Sequence, residues 1–189
     1  MRLRIAFAVV ACATGMAAGV VATGGAAVAA TGRPAVAATG ASGYGPHRCY
    51  VSDLVAGFHG GQAGLGNRGF LVTLTNVSGD SCWVDGYPRL ELRDAAWRPL
   101  YTRTRPGPTY FDQDPGRHLI VLSPGETASA DISFVDGGTP ANSVLASYVE
   151  ITPPGGHRHL WLRVPYGPAL VYRGELDVTA LARHTPYSG

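Results

Sequence analysis

Short runs of alternating apolar and polar residues occupy the chain from about residue 49 onward. The clearest run spans residues 128–134, and a second spans residues 70–75. A repeat of two residues is typical of a β-strand that turns one face to a core. Leu71 lies on the otherwise polar face of the second run, which predicts that this face is partly covered.

Turn signals separate further extended segments at intervals of about eight to twelve residues. The predicted strands are residues 49–56, 70–75, 82–84, 89–93, 97–102, 118–122, 128–134, 144–152 and 160–164, with a short helix or last strand at 178–183. Two long loops are predicted, a glycine-rich one at 57–66 and one at 103–117 that contains three prolines. Since no segment keeps a helical period beyond two turns, we expect an all-β fold, an antiparallel immunoglobulin-like β-sandwich.

The N-terminal segment has the pattern of a secretory signal peptide, residues 1–29. Arg2 and Arg4 precede an apolar stretch, and small residues allow cleavage before Ala30, or alternatively after Ala37. A retained membrane anchor is the alternative. Cys12 follows a loose lipobox, so lipidation there is a second alternative to its loss with the signal. Residues 30–46 are rich in Ala, Gly and Pro and predict a flexible linker, which leaves residues 47–189 as the domain.

Charge and cysteine content narrow the possible functions. The chain has no lysine, and removal of Arg2 and Arg4 leaves 13 arginines against 13 acidic residues. Binding to nucleic acid needs a surplus of positive charge, so we do not expect it. The absence of lysine also excludes a P-loop and a Schiff base within this chain. Two cysteines remain after cleavage, which indicates a disulfide in an exported protein, with two free thiols as the alternative.

No residue pattern identifies a catalytic set, and we expect neither enzyme activity nor a bound metal or cofactor. No G-x-S-x-G motif is present. His157 and His159 would face the same side of a strand, but no acidic residue or cysteine lies near them in sequence to complete a metal site. Asp112 and Asp114 lack the glycine and the closing glutamate of a calcium-binding loop.

Aromatic residues make the loop at 103–117 the predicted binding surface. Loops on a rigid β-scaffold are where binding residues concentrate. The candidate contacts share this loop and are Arg103, Arg105, Tyr110, Phe111, Asp112 and Asp114. The alternative is that the loop folds over the sheet and its rings form a small satellite core. Trp83 is expected to pack against a disulfide, and Asn76, which matches a glycosylation acceptor, is expected to cap a turn.

One ordered set of motifs resembles a known family. Cys49 comes first, followed by the strand ending Leu74-Thr75-Asn76, then Cys82, Gly86-Tyr87-Pro88 and Pro124-Gly125. This order and spacing, over residues 48–164, resembles DUF4232, a domain of unknown function in secreted actinobacterial proteins. The resemblance implies an extracytoplasmic all-β domain in which Cys49 pairs with Cys82, and it implies no activity. Such a bridge closes a loop that the chain-entropy model values at about 3–4 kcal/mol.

These observations predict a non-catalytic binding module, secreted or associated with the cell envelope. Its partner would be an extracellular protein or a cell-envelope polymer. One alternative is a secreted hydrolase or metal-dependent enzyme that uses His157, His159 or the loop aspartates. Another is a purely structural envelope module. A deep pocket with converging His and Asp would favour the enzyme, whereas a flat aromatic patch would favour binding.

Overall fold

A computed structural model describes residues 45–183, so the predicted signal peptide, Cys12 and nearly all of the linker lie outside the described residues. The described chain is a set of β-strands with a single 3-10 turn, Val51–Asp53. The strands are β1 His47–Arg48, β2 Leu54–Gly64, β3 Asn67–Asn76, β4 Cys82–Asp85, β5 Arg89–Arg93, β6 Arg103–Pro106, β7 Leu119–Leu122, β8 Thr127–Val135, β9 Ser143–Ala146, β10 Tyr148–Thr152, β11 Leu160–Arg163, β12 Ala169–Tyr172 and β13 Glu175–Val178. The prediction of an all-β fold is confirmed.

The largest sheet has five strands in the order β2-β3-β8-β13-β6. The alternating residues of β3 and β8 give this sheet one apolar face. Phe70, Val72 and Leu74 of β3 enter the core on the same side as Ala130 and Ile132 of β8. The opposite side of β3 carries Leu71, which is also buried, at 2% exposure. Both faces of the centre of the sheet are therefore covered, as we predicted from the position of Leu71 on the otherwise polar face.

A second sheet, β11-β10-β5, closes the other side of the core. Leu90, Leu92, Val149 and Ile151 point inward from it and join the same buried cluster as the five-stranded sheet. Two smaller sheets, β1-β4-β7 and β12-β9, complete this sandwich-like arrangement. Most pairings are antiparallel, while β1 with β4 and β6 with β13 are parallel. The immunoglobulin-like topology stays a prediction.

A disulfide joins Cys49 to Cys82, with the Cα atoms 4.9 Å apart. This pairing confirms what the family resemblance implied. Both cysteines are buried, and the bridge ties the segment after β1 to β4. The guanidinium of Arg48 lies 4.6 Å from the ring centre of the half-buried Trp83, so a cation covers this indole.

The turn after β3 is built on the buried side chain of Asn76. Its Nδ2 donates to the carbonyls of Asp80 (2.8 Å) and Leu122 (2.9 Å), while its Oδ1 accepts from the backbone N–H and hydroxyl of Ser78. The predicted turn-capping role of Asn76 is confirmed. With both ends of the amide engaged and the residue fully buried, the folded domain does not present this asparagine to solvent.

The prediction of a glycine-rich loop at 57–66 is wrong, because most of these residues belong to the long strand β2. This strand pairs with β3 along its length, with an irregularity between His59 and Gln62. Glycine is poorly suited to strands by propensity, yet pairing with a central strand needs only backbone groups. At Gly57 an added Cβ would meet the Thr73 hydroxyl at 3.0 Å, so the close approach of β3 favours glycine there.

Other predicted boundaries also change. Residues 97–102 form no strand, since Trp97 takes a left-handed conformation (φ 62°) and only Pro99 bridges to β5. The loop predicted at 103–117 begins with strand β6. The strand predicted at 144–152 splits at Ser147 into β9 and β10, which belong to different sheets. Strands β12 and β13 were not predicted, and at 178–183 no helix forms; Ala182 instead bridges Ser129.

Candidate functional site

The loop that follows β6 lies across the outer face of the five-stranded sheet. Thr109 Oγ1 donates to the buried carboxylate of Asp131 (2.5 Å), and Tyr110 N–H donates to Ser133 Oγ (3.1 Å). Both acceptors belong to β8. Thr109 Oγ1 also accepts from Asp112 N–H, so one hydroxyl fixes the turn and docks it on the sheet.

The ring of Phe111 covers Gly69 of β3. A Cβ placed on Gly69 would lie 2.5 Å from Phe111 Cδ2, closer than two carbon atoms can approach. Tyr110 packs edge-on against Phe111, with ring centres 5.0 Å apart, and is 49% exposed. Phe111 therefore packs on the sheet as the satellite-core alternative describes, while Tyr110 remains half open to solvent.

The two loop aspartates take part in hydrogen bonds within the domain. Asp114 accepts from the Tyr87 hydroxyl (2.5 Å) and from Ala180 N–H (2.9 Å). Burial would raise the pKa of this carboxyl, but the hydrogen bonds from Ala180, Tyr87 and Gly116 outweigh it and hold the pKa below its ordinary value. The hydrogen bond between Tyr87 and Asp114 also raises the pKa of the Tyr87 phenol. Asp112 Oδ1 accepts from Gln113 N–H (2.8 Å).

Arg103 and Arg105 form ion pairs with the neighbouring strand. Arg105 reaches Asp177 with two nitrogens, at 2.8 and 3.3 Å, and Glu175 at 3.3 Å. Arg103 lies 3.7 Å from Glu175. The parallel pairing of β6 with β13 places these opposite charges side by side. The structure thus places the six predicted contact residues on β6 and the loop that follows it, where each of the four charged side chains already has a partner.

The two candidate metal-binding histidines lie elsewhere, in and just after the turn between β10 and β11. His159 Nε2 is 3.2 Å from Glu150 Oε1. His157 lines a cleft of about 360 Å³ together with Arg48, Tyr50 and Arg158. Among residues 45–183, no group of three or more His, Cys, Asp or Glu side chains is placed to hold a metal ion.

A cluster of exposed aromatic rings lies on the outer face of the β11-β10-β5 sheet. We call Trp97, Tyr148 and Trp161 the aromatic corner. Trp97 stacks on Tyr148 with ring centres 4.2 Å apart and planes 19° apart. The plane of Trp161 is nearly perpendicular to both, at 85° and 87°. Trp97 is 40% exposed and Trp161 56% exposed, so apolar ring surface faces solvent here.

Strand register and one strained turn build the aromatic corner. Tyr148 and Trp161 are on the paired strands β10 and β11, two register positions apart on the same face. Trp97 reaches them from the turn after β5, where the Asp94 carboxylate accepts from Ala96 N–H and Arg98 N–H. The hydrogen bond from Arg98 N–H is the largest of the causes that hold the pKa of Asp94 below its ordinary value, and the bond from Ala96 N–H adds to it. A left-handed tryptophan costs about 1–3 kcal/mol, and such strain concentrates at functional sites.

Charged side chains surround the aromatic corner. Glu150, nearly buried, accepts from Arg93 Nη2 at 2.9 Å and lies beside His159. The hydrogen bond to Glu150 raises the pKa of Arg93. Arg163 faces Tyr148 across the β10–β11 pair and is exposed. Within residues 45–183 its guanidinium makes no ion pair, hydrogen bond or ring contact, so this face carries one positive charge without a partner.

Sequence reasoning did not find the aromatic corner. It named none of these three residues as a contact and placed Trp97 in a strand. One signal was available: Tyr148 and Trp161 are aromatic residues at outward positions of neighbouring strands, where polar residues are expected. The contribution of Trp97 depends on a left-handed turn, which no hydrophobic pattern reveals.

Comparison with known proteins agrees with the motif order. No curated protein and no solved structure matches the chain. Within residues 45–183 there is no helix with the length and apolar character needed to cross a membrane. The family model of a domain of unknown function, DUF4232, matches residues 49–182, beginning at the bridged Cys49 and extending past residue 164 through β12 and β13. The chain therefore belongs to the DUF4232 family.

Proposed function

We propose that this protein is a non-catalytic binding module that is secreted or held at the cell envelope, and that it contacts its ligand through the aromatic corner. The observation that carries the proposal is the outward exposure of Trp97 and Trp161 beside Tyr148. Tryptophan, tyrosine and arginine are enriched among the residues that dominate binding energy at protein surfaces, and the two aromatic ones bury much area with few rotatable bonds.

The aromatic corner suits binding because rigid elements hold it. Two of its rings stand on paired strands, and the third is fixed by the Asp94 turn. A preformed surface loses little conformational entropy when a ligand binds. The loop that we expected to be the contact differs, since Phe111 is packed on Gly69 and Arg105 is bound to Asp177.

Export supports an extracellular location for the ligand. The N-terminal sequence has the charge, apolar stretch and small residues of a signal peptide, and a disulfide such as Cys49–Cys82 persists in oxidising compartments. The partner under this proposal is an extracellular protein or a cell-envelope polymer. Edman sequencing of the protein from culture supernatant tests export directly, with a start at Ala30 or just after Ala37 as the expected result.

Co-sedimentation with washed cell envelopes from an actinobacterium tests the binding function. The mature domain, Ala30 to Gly189, is compared with Trp161→Ala and with Tyr101→Ala, which removes an aromatic side chain that is 70% exposed away from the aromatic corner. We expect saturable binding that is lost in Trp161→Ala and kept in Tyr101→Ala.

Each other outcome points to a different conclusion. Loss of binding in Tyr110→Ala with retention in Trp161→Ala would move the site to the loop after β6. No sedimentation of the folded wild-type domain contradicts envelope binding and leaves a structural module, or an enzyme based on His157, His159 or the loop aspartates, as the next hypotheses. Circular dichroism of each variant shows whether it is folded.

A further inference from the structure

The size of the aromatic corner limits the kind of ligand it accepts. A tryptophan side chain offers at most about 250 Å², so exposures of 40% and 56% leave roughly 240 Å² of indole surface. A stable protein interface needs about 800 Å² from each partner. The exposed rings are therefore too small to make up a protein interface by themselves, but they are large enough for a ligand that presents narrow apolar faces.

The ring geometry fits a sugar chain. The C–H groups on one face of a sugar ring carry partial positive charge, and the face of an indole carries partial negative charge, so the two attract each other. His159 lies at the border of the corner with its side chain 48% exposed; its Nε2 contacts the buried Glu150, which leaves Nδ1 to exchange a hydrogen bond with a hydroxyl group. An exposed indole face bordered by polar side chains matches a ring that is apolar on its face and polar at its rim.

The charges at this face distinguish among sugar chains. Glu150 is already held between Arg93 and His159. Its cross-strand neighbour Glu91 pairs with Arg89 at 3.5 Å, so both carboxylates of this face have a cationic partner. Arg163 has no partner among the described residues and stands beside Tyr148. A guanidinium binds carboxylate and phosphate oxygens through two parallel hydrogen bonds.

We infer that the aromatic corner together with Arg163 binds an acidic polysaccharide, with a sugar ring stacked on one exposed indole face and an anionic group on the guanidinium. The inference rests on the proposed binding function and adds the class of ligand. The anionic group is a carboxylate or a phosphodiester, which share the chemistry that Arg163 recognises.

The test uses polysaccharide released from washed envelopes and freed of protein with proteinase K. Binding of the mature domain is measured by isothermal titration calorimetry to the untreated material, to a carboxyl-reduced form, and to a form whose phosphodiesters are removed with hydrofluoric acid. We expect the wild type to bind the untreated form about tenfold more tightly than one of the two treated forms, since one charge-assisted contact is lost.

Three variants locate the effect. Arg163→Gln should bind the untreated form about tenfold more weakly and should no longer distinguish it from the treated form. Arg158→Gln removes another exposed arginine, in the turn between β10 and β11, and should behave as wild type. Trp161→Ala should lose binding to all forms.

The results separate failure of this inference from failure of the proposed function. Equal affinity of the wild type for all three forms overturns the acidic class. Binding to envelopes that depends on Trp161 but is abolished by proteinase K overturns a sugar ligand, although the aromatic corner remains a binding site. If untreated envelopes are not bound at all, the proposed function itself is wrong.

Discussion

Replacing Gly69 by alanine tests whether the loop after β6 is packed on the sheet. The new Cβ would lie 2.5 Å from Cδ2 and 2.9 Å from Cε2 of Phe111, and 3.3 Å from the carbonyl oxygen of Ile132. Carbon atoms in contact lie about 3.5–4.0 Å apart, so the ring would have to move by about 1 Å. The Thr109–Asp131 hydrogen bond restrains that movement.

We expect Gly69→Ala to lower the free energy of unfolding by about 1–3 kcal/mol, the usual cost of overpacking. Phe111→Ala should cost about 2 kcal/mol, roughly half the loss for a fully buried phenylalanine. The double variant should cost at least about 1 kcal/mol less than the sum of the two, because the new methyl group fills space that the ring has left.

Urea denaturation followed by tryptophan fluorescence measures these changes, provided that the slope with urea stays constant. Gly79→Ala is the matched control. A Cβ there meets nothing within 4 Å, so its effect should stay within about 0.5 kcal/mol. If Gly69→Ala is as mild as this control, or if the two changes add without coupling, Phe111 is not packed as described and the loop is free to bind.

Four further changes test the framework of the domain by the same denaturation assay. Asn76→Ala should cost about 3 kcal/mol, since several buried hydrogen bonds lose their partner; a loss below about 1 kcal/mol contradicts the capping role. Replacing Cys49 and Cys82 together by alanine should cost about 3–4 kcal/mol, and dithiothreitol should then have no further effect on stability. Asp114 has a lowered pKa, so its stabilising effect should be complete above the ordinary pKa of 3.8 and be lost as the pH falls through the folded value. The stability difference between wild type and Asp114→Asn should therefore shrink below pH 3.8, and a difference independent of pH would contradict the carboxylate's role. The Tyr87 phenol, whose pKa is raised, should stabilise the fold below its ordinary value of 10.0 and lose this effect at higher pH, which Tyr87→Phe should abolish.

The strands that sequence patterns found share one physical property. In β3 and β8 the type of each residue indicates which face of the sheet it lies on, because successive side chains of a strand point alternately to the core and away from it. Turns such as the one at Asn76 were equally visible, since most of their hydrogen bonds join residues two to four positions apart. The disulfide followed from the order of family motifs rather than from any local pattern.

The missed strands depend on the strands they pair with rather than on a pattern of their own. The glycine-rich half of β2 is extended because β3 supplies backbone partners for it, and β6 pairs in parallel with β13, some seventy residues away. Neither pairing produces an alternation of apolar and polar residues in the segment concerned. The same limit applies to Arg103 and Arg105, which read as available charges until the register places Glu175 and Asp177 opposite them.

By itself, the sequence determined the all-β class, the turn at Asn76, the two cysteines that pair, and the family. These depend on local periodicity, on turn chemistry and on residue order. Only the tertiary structure decided which aromatic rings face solvent. Phe111 is covered because Gly69 offers it a place on the sheet, whereas Trp97 is carried onto Tyr148 and Trp161 by a left-handed turn held by Asp94. Exposure is a property of neighbours brought together by folding, and no single segment encodes it.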